Sequence, residues 1–198
     1  RLENKIQEPV INQDSDSISL NFGTIKEIST IGIGERVCID TTSLLQSGEG
    51  MLCGSFSNTF TLIHAETIDS EFVPTRPFRV NAGSIHSYIK MKNNTTKYLS
   101  ELKSGDEVLI VNKEGMARTT KIGRIKLEKR PLIKIQWSDE NNLEGNIILQ
   151  QAETVRLVEN NLNPISITKL KKGMQILIHN SSQTRHLGAP IRAFSQEY

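Results

Sequence analysis

The 198-residue sequence predicts a mainly β protein: two tandem related β-modules, closed as small barrels or as one larger sheet, with few short helices. Three observations carry this expectation. Short β-branched runs recur between glycine-containing turns, and no window keeps an apolar stripe at helical spacing for three turns. Three short strings also recur in one order along the chain.

Residues 1–17 are polar and irregular and read as a linker or tail. A first module over 18–118 is expected to place strands at 24–28 (TIKEI), 37–39 (VCI), 60–63 (FTLI) and 107–111 (EVLIV). A second, shorter module over 119–198 places them at 133–137 (IKIQW), 147–149 (IIL) and 175–178 (QILI). Turns fall at 47–50 (SGEG), 113–115 (KEG) and 139–142 (DENN). The echoes between the modules are Gly23-Thr24-Ile25-Lys26 with Gly123-Arg124-Ile125-Lys126, His64-Ala65-Glu66-Thr67-Ile68 with Gln151-Ala152-Glu153-Thr154-Val155, and Leu102-Lys103-Ser104-Gly105 with Leu170-Lys171-Lys172-Gly173.

Composition narrows the function. Lys and Arg number 24 against 22 Asp and Glu, and aromatics are 5%, so neither charge nor stacking surface points to nucleic acid. No run approaches the roughly 18 apolar residues of a membrane span, and the charged start lacks the apolar core of a signal peptide, which predicts a cytoplasmic protein. Cys38 and Cys53 are too few to staple a chain of this length and are expected as buried reduced thiols.

Residues with chemistry concentrate where the first module carries extra chain, about 68–97. Pro74, Pro77 and Gly83 stiffen a segment from which Arg76, Arg79, Asn81 and His86 project, and an arginine pair on a stiff loop suits a carboxylate or phosphate. The alternative is that these arginines bridge to Asp69 or Glu71. His64 and Glu66 alternate onto one strand face and could serve as base or metal ligands, and a divalent ion there is an open possibility. Gln151 replaces His64 in the second copy, so the fold tolerates a residue that does not titrate, which favours a function for His64. Asp40 stands with Thr41 and Thr42 at a strand end, either a site carboxylate or a turn former. His179 and His186 flank Ser181-Ser182 and read as exposed loop histidines. No GxGxxG links a strand to a helix, so the residues themselves mark no dinucleotide site.

The strings Gly34-Glu35-Arg36-Val37-Cys38-Ile39-Asp40-Thr41, Gly48-Glu49-Gly50-Met51-Leu52-Cys53-Gly54-Ser55, Arg76-Pro77-Phe78-Arg79-Val80-Asn81-Ala82-Gly83 and Glu128-Lys129-Arg130-Pro131-Leu132 resemble the 3-dehydroquinate synthase II family. The likeness runs from residue 20 to 190. It implies an NAD-dependent oxidoreductase of the shikimate route to aromatic amino acids. Such enzymes oxidatively deaminate 2-amino-3,7-dideoxy-D-threo-hept-6-ulosonate and cyclise the product to 3-dehydroquinate. It also implies an additional N-terminal α/β part beyond this chain, with this chain corresponding to the C-terminal part.

Laid on those motifs, His64, Glu66 and His86 are expected to be catalytic, with His64 or His86 moving protons. Arg76, Arg79, Asn81 and Asp40 are expected to bind and orient the substrate. The NAD-binding residues are not identified, and the competing reading is a non-catalytic β-barrel module that holds an anionic metabolite or a protein partner.

Overall fold

A computed structural model describes residues 16–181, 185–186 and 189–190, so the tail expected before residue 16 lies outside the described residues. Among the described residues the chain is built of strands, joined by turns and three 3-10 segments of three residues each. Two strands dominate: β2 (Asn21–Thr41) and β9 (Met116–Ser138), antiparallel partners from Thr24↔Ser138 to Thr41↔Ile122. The register slips at three places, between Ile25 and Glu27, Thr30 and Gly32, and Asp40 and Thr41, and such bulges bend and twist a ribbon of this length.

The other strands attach to this ribbon. β8 (Glu107–Asn112) pairs with the start of β9, and β13 (Gln175–Asn180) with the start of β2. The hairpin of β3 (Glu49–Gly54) and β4 (Thr59–His64) links β8 to β13. The six strands β2, β9, β8, β3, β4 and β13 therefore form a closed ring, which leaves none of these strands a bare edge along the circuit. β5 (Arg79–Ser84) adds to the far edge of β2, and β10 (Glu144–Gln150) to the far edge of β9.

The two Leu-x-x-Gly strings meet the long ribbon in the same way. Gly105 N–H bonds the Ile122 carbonyl and Gly173 N–H bonds the Ile25 carbonyl, each at 2.8 Å, at the same point of the two Leu-x-x-Gly strings. That equates Ile25 with Ile122, three residues from the match to Ile125 given by the strings. His64 and Gln151 are not equivalent positions either: His64 ends β4 opposite Gly50, whereas Gln151 follows β10 and bonds the Pro131 carbonyl. The argument that Gln151 stands in for His64 therefore loses its basis, because four- and five-residue strings recur too easily to fix a register.

One apolar cluster contains residues of both halves, among them Ile25, Val37, Ile39, Ile63, Ile110, Trp137 and Ile178. Trp137 is 1% exposed and donates its indole N–H to Thr61 Oγ1 at 3.1 Å. Gly145 pairs with Trp137 across the β9–β10 ladder, and a Cβ there would stand 2.2 Å from the indole, so glycine is what admits the ring. Cys38 and Cys53 are free and buried, as the cysteine count predicts.

Candidate functional site

Val37 and Ile39 of β2 point into the core, so alternation turns Arg36, Cys38 and Asp40 onto the other face. β5 and β9 flank this stretch and place Arg79 and Arg124 beside Asp40, Asn81 and Lys126 beside Cys38, and Glu128 beside Arg36. Arg79 donates from Nε and Nη2 to Asp40 at 2.7 and 3.0 Å, and Arg124 donates to the same carboxylate at 2.8 and 2.6 Å. Burial works against ionisation of Asp40, but the two guanidiniums overcome it and hold the carboxyl below its ordinary range. Asp40 is 6% exposed in its side chain and Arg124 60%, so the second arginine keeps most of its donors in water.

Glu66 and Arg76 join this end of the face through an isolated β-bridge, with Glu66 N–H bonding the Arg79 carbonyl. Arg76 Nη1 reaches Glu66 Oε2 at 3.3 Å. Toward the other end Arg36 donates to Glu128 at 2.8 Å, and Arg130 contacts the same carboxylate. Arg36 also donates to the Cys38 sulfur. Burial pushes the Cys38 thiol up to about 11, beyond what the neighbouring arginines offset, so it is protonated at neutral pH and no nucleophile. Six cations (Arg36, Arg76, Arg79, Arg124, Lys126 and Arg130) thus meet three carboxylates (Asp40, Glu66 and Glu128). A surface with that excess attracts anions, and the arginines among them suit carboxylates.

The structure brings Asp40, Glu66, Arg76, Arg79 and Asn81 together on this face, Asn81 donating to Gln150 at 2.9 Å while its own Oδ1 is buried without a partner. It does not bring the histidines there. His64 Nδ1 donates to the Ala65 carbonyl at 2.6 Å and Nε2 accepts the Gly48 N–H at 2.8 Å, which ties the end of β4 to the turn before β3. Lys113 and Arg156 are the charges His64 feels, whereas Glu66 neighbours Arg76, Arg79 and Cys38, so the two do not form a pair. Among the described residues no group of three or more His, Cys, Asp or Glu is placed to hold a metal ion.

His86 lies two residues past the far end of β5, which runs roughly 16 Å from Arg79 to Ser84 at the usual rise. Its ring nitrogens stand 3.1 and 3.3 Å from the hydroxyls of Ser84 and Ser55, in a cleft of about 360 Å³, and burial lowers its pKa.

Sequence reasoning missed Arg36, Arg124, Lys126 and Arg130. The alternating string Arg124-x-Lys126-x-Glu128-x-Arg130 was the available cue, since a two-residue charge period marks one face of a strand. His179 also differs from its expectation as a loop residue. It sits in β13, 9% exposed and stacked on Phe60, because that strand runs on to Asn180. The side chain of His186 lies outside the described residues.

Comparison with known proteins decides the family. Residues 22–198 match the 3-dehydroquinate synthase II C-terminal domain. The chain belongs to that family. It is 50% identical over 176 residues to the 3-dehydroquinate synthase of Methanococcus vannielii, covering 89% of this chain and 48% of the relative. The corresponding enzyme of Methanocaldococcus jannaschii is 46% identical over 191 residues, 95% of this chain and 52% of its own length. The chain thus spans about half the length of these curated relatives. No solved structure matches it. Among the described residues no helix is long and apolar enough to cross a membrane.

Proposed function

We propose that this chain is the substrate-carboxylate-holding part of a cytoplasmic 3-dehydroquinate synthase of the second type. That enzyme would oxidatively deaminate 2-amino-3,7-dideoxy-D-threo-hept-6-ulosonate with NAD and cyclise the product to 3-dehydroquinate, on the way to aromatic amino acids. The observation that carries the reading is the cation excess at the Asp40 end of the β5–β2–β9 face, within a chain of this family.

The reaction needs a cation for the substrate carboxylate and a base for protons of the amine and later of the methyl group beside the ketone. Arg124 and Arg76 have donors in water and are assigned to the carboxylate, while Asp40 and Arg79 hold Arg124 in position. The two carboxylates here differ in how tightly they are held. Asp40 is clamped by two guanidiniums and stays ionised; Glu66 receives one guanidinium contact, at 3.3 Å, and is assigned as the base. His86 stands beyond the far end of β5 from the Arg79 and Arg124 pair, out of reach of a seven-carbon substrate bound at Arg124, and both ring nitrogens of His64 are occupied by backbone.

NAD, when bound, supplies the hydride acceptor for the amine oxidation. The described residues do not fit it: their helical segments are three residues long, so no glycine turn opens onto a helix N-terminus that could hold a pyrophosphate. The dinucleotide is therefore assigned to the part of the enzyme outside them.

The test is NADH formation from NAD and the amino-heptulosonate by the chain joined to the N-terminal part that its relatives carry. Arg124→Ala is expected to raise KM by roughly ten- to a hundredfold, and Glu66→Gln to lower kcat by about 10²-fold or more with KM kept. Wild-type kcat/KM in both variants would overturn the assignment.

A further inference from the structure

A second polar cleft, of about 430 Å³, lies where β1 (Asp16–Ser17), the turn after β6 (Tyr88–Lys90) and the end of β13 meet. It uses none of the residues of the face described above. Three of its lining residues, Lys90, His179 and Asn180, carry polar groups held out of solvent. Lys90 is 5% exposed, and its Nζ donates to Asn94 Oδ1 at 2.6 Å while standing 5.6 Å from the centre of the Phe60 ring. Among the described residues no carboxylate pairs with it, although a buried ammonium ordinarily has a counter-ion. Exposed Asp16 and Lys92 also line the cleft with opposite charges, which leaves Lys90 as the excess cation.

The other two atoms are acceptors without donors. His179 Nδ1 is 2.8 Å from the Ser19 carbonyl and must donate to it, so in the neutral ring Nε2 carries the lone pair, and that atom is buried with no partner. Asn180 gives its amide N–H to Asp139 at 2.8 Å, and its Oδ1 is likewise buried and unpartnered. Each such orphan costs about 1–3 kcal/mol, and two of them beside a buried ammonium without a counter-ion are not an accident of packing. The turn beside them is strained as well: Asn93 and Asn94 are successive left-handed residues, at φ 58° and 55°, and this conformation brings Asn94 to the ammonium. Burial lowers the Lys90 pKa to about 8, and the His179 pKa is lowered by burial too, with Lys90 adding to the effect.

An occupant that answers these groups carries an anionic oxygen for the ammonium and hydroxyl hydrogens for the two acceptors. We infer that the cleft binds a small hydroxylated carboxylate, its carboxylate on Lys90 Nζ and its hydroxyls donating to His179 Nε2 and Asn180 Oδ1. A simple carboxylate lacks the donors, and a neutral polyol lacks the charge.

The test is a titration of the full chain with sodium gluconate, followed by the ¹³C resonances of the Lys90 Cε and the His179 ring, with acetate and glycerol as comparison solutes. Gluconate is expected to shift both resonances together and saturably, and acetate and glycerol to leave them in place. Lys90→Met is expected to weaken gluconate by about tenfold or more. Asn180→Leu, at a half-buried position, removes one acceptor and carries the same expectation should Lys90→Met fail to fold. Unmoved resonances, equal shifts with acetate, or wild-type gluconate affinity in a folded variant would each overturn the inference.

Discussion

Arg79 grips both oxygens of Asp40 from the neighbouring strand, and the two residues are 7% and 4% exposed. A bidentate pair at that depth fixes the register of β5 on β2 as well as the charge of the site. Asp40→Asn keeps the shape and removes the charge, which leaves a buried guanidinium without its counter-ion. The expected loss is about 3–5 kcal/mol, read as a fall in the urea midpoint. Because the folded-state pKa of Asp40 is depressed, its contribution is complete above the unfolded value near about pH 4 and disappears as pH falls through the folded value. The difference between wild type and Asp40→Asn should therefore be flat at neutral pH and narrow in acid; a difference that persists unchanged into strong acid would contradict the pairing.

His64 is a structural clasp whose pH dependence has the opposite origin. Burial is the largest influence, and with Lys113 and Arg156 it outweighs the Ala65 carbonyl and depresses the ring's pKa. A depressed base binds its proton more readily in the unfolded chain, so its contribution is complete above about pH 6.5 and is lost as pH drops below it. His64→Ala frees the Gly48 N–H and the Ala65 carbonyl and is expected to cost about 2–4 kcal/mol at pH 8, less at pH 5. An NMR titration of His64 with a midpoint at or above the ordinary histidine value would remove the basis for this.

The ring strands were legible because a buried strand must be apolar. Residues 60–63, 107–111 and 175–178 lie in β4, β8 and β13 and read as strands from side chains alone. The long ribbon was not. β2 reads as two short strands because Gly32, Gly34 and exposed Ile31 and Ile33 interrupt its apolar pattern, and the β9 stretch over 123–131 is rich in charge and has no buried residue. What makes them strands is each other, through a ladder that closes across some hundred residues, and no local window contains that information. The site shared this fate. Arg76, Arg79, Glu66 and Asp40 stood out by type and setting, whereas Arg124 matters because it pairs with Asp40 from 84 residues away.

Cys38 sits between cations yet is held as a thiol. Its burial outweighs the pull of Arg36 and Arg79 and raises it to about 11, and burial alone raises Cys53 still further. Neither thiol should react with an aromatic disulfide reagent at pH 8 in the folded chain, while both should react after unfolding in guanidinium. Rapid native labelling of Cys38 would mean that the sulfur is open to solvent and ionised, and would reopen it as a nucleophile.

Gly145 faces the largest buried side chain of the molecule, and its missing Cβ is what lets β10 lie against Trp137. An alanine there would place carbon 2.2 Å from the indole Cζ2, and the ring has little freedom to retreat, being 1% exposed and tethered to Thr61. Gly145→Ala is therefore expected to destabilise by about 3 kcal/mol, at the upper end of overpacking costs. Trp137 is the sole tryptophan of the sequence, so its fluorescence reports the change directly. The variant's emission should move to longer wavelength as the indole is driven from its pocket, and the hydrogen bond to Thr61 should be lost. Wild-type emission and midpoint would show that β10 can shift aside without disturbing the core, against the tight β9–β10 contact argued from the structure.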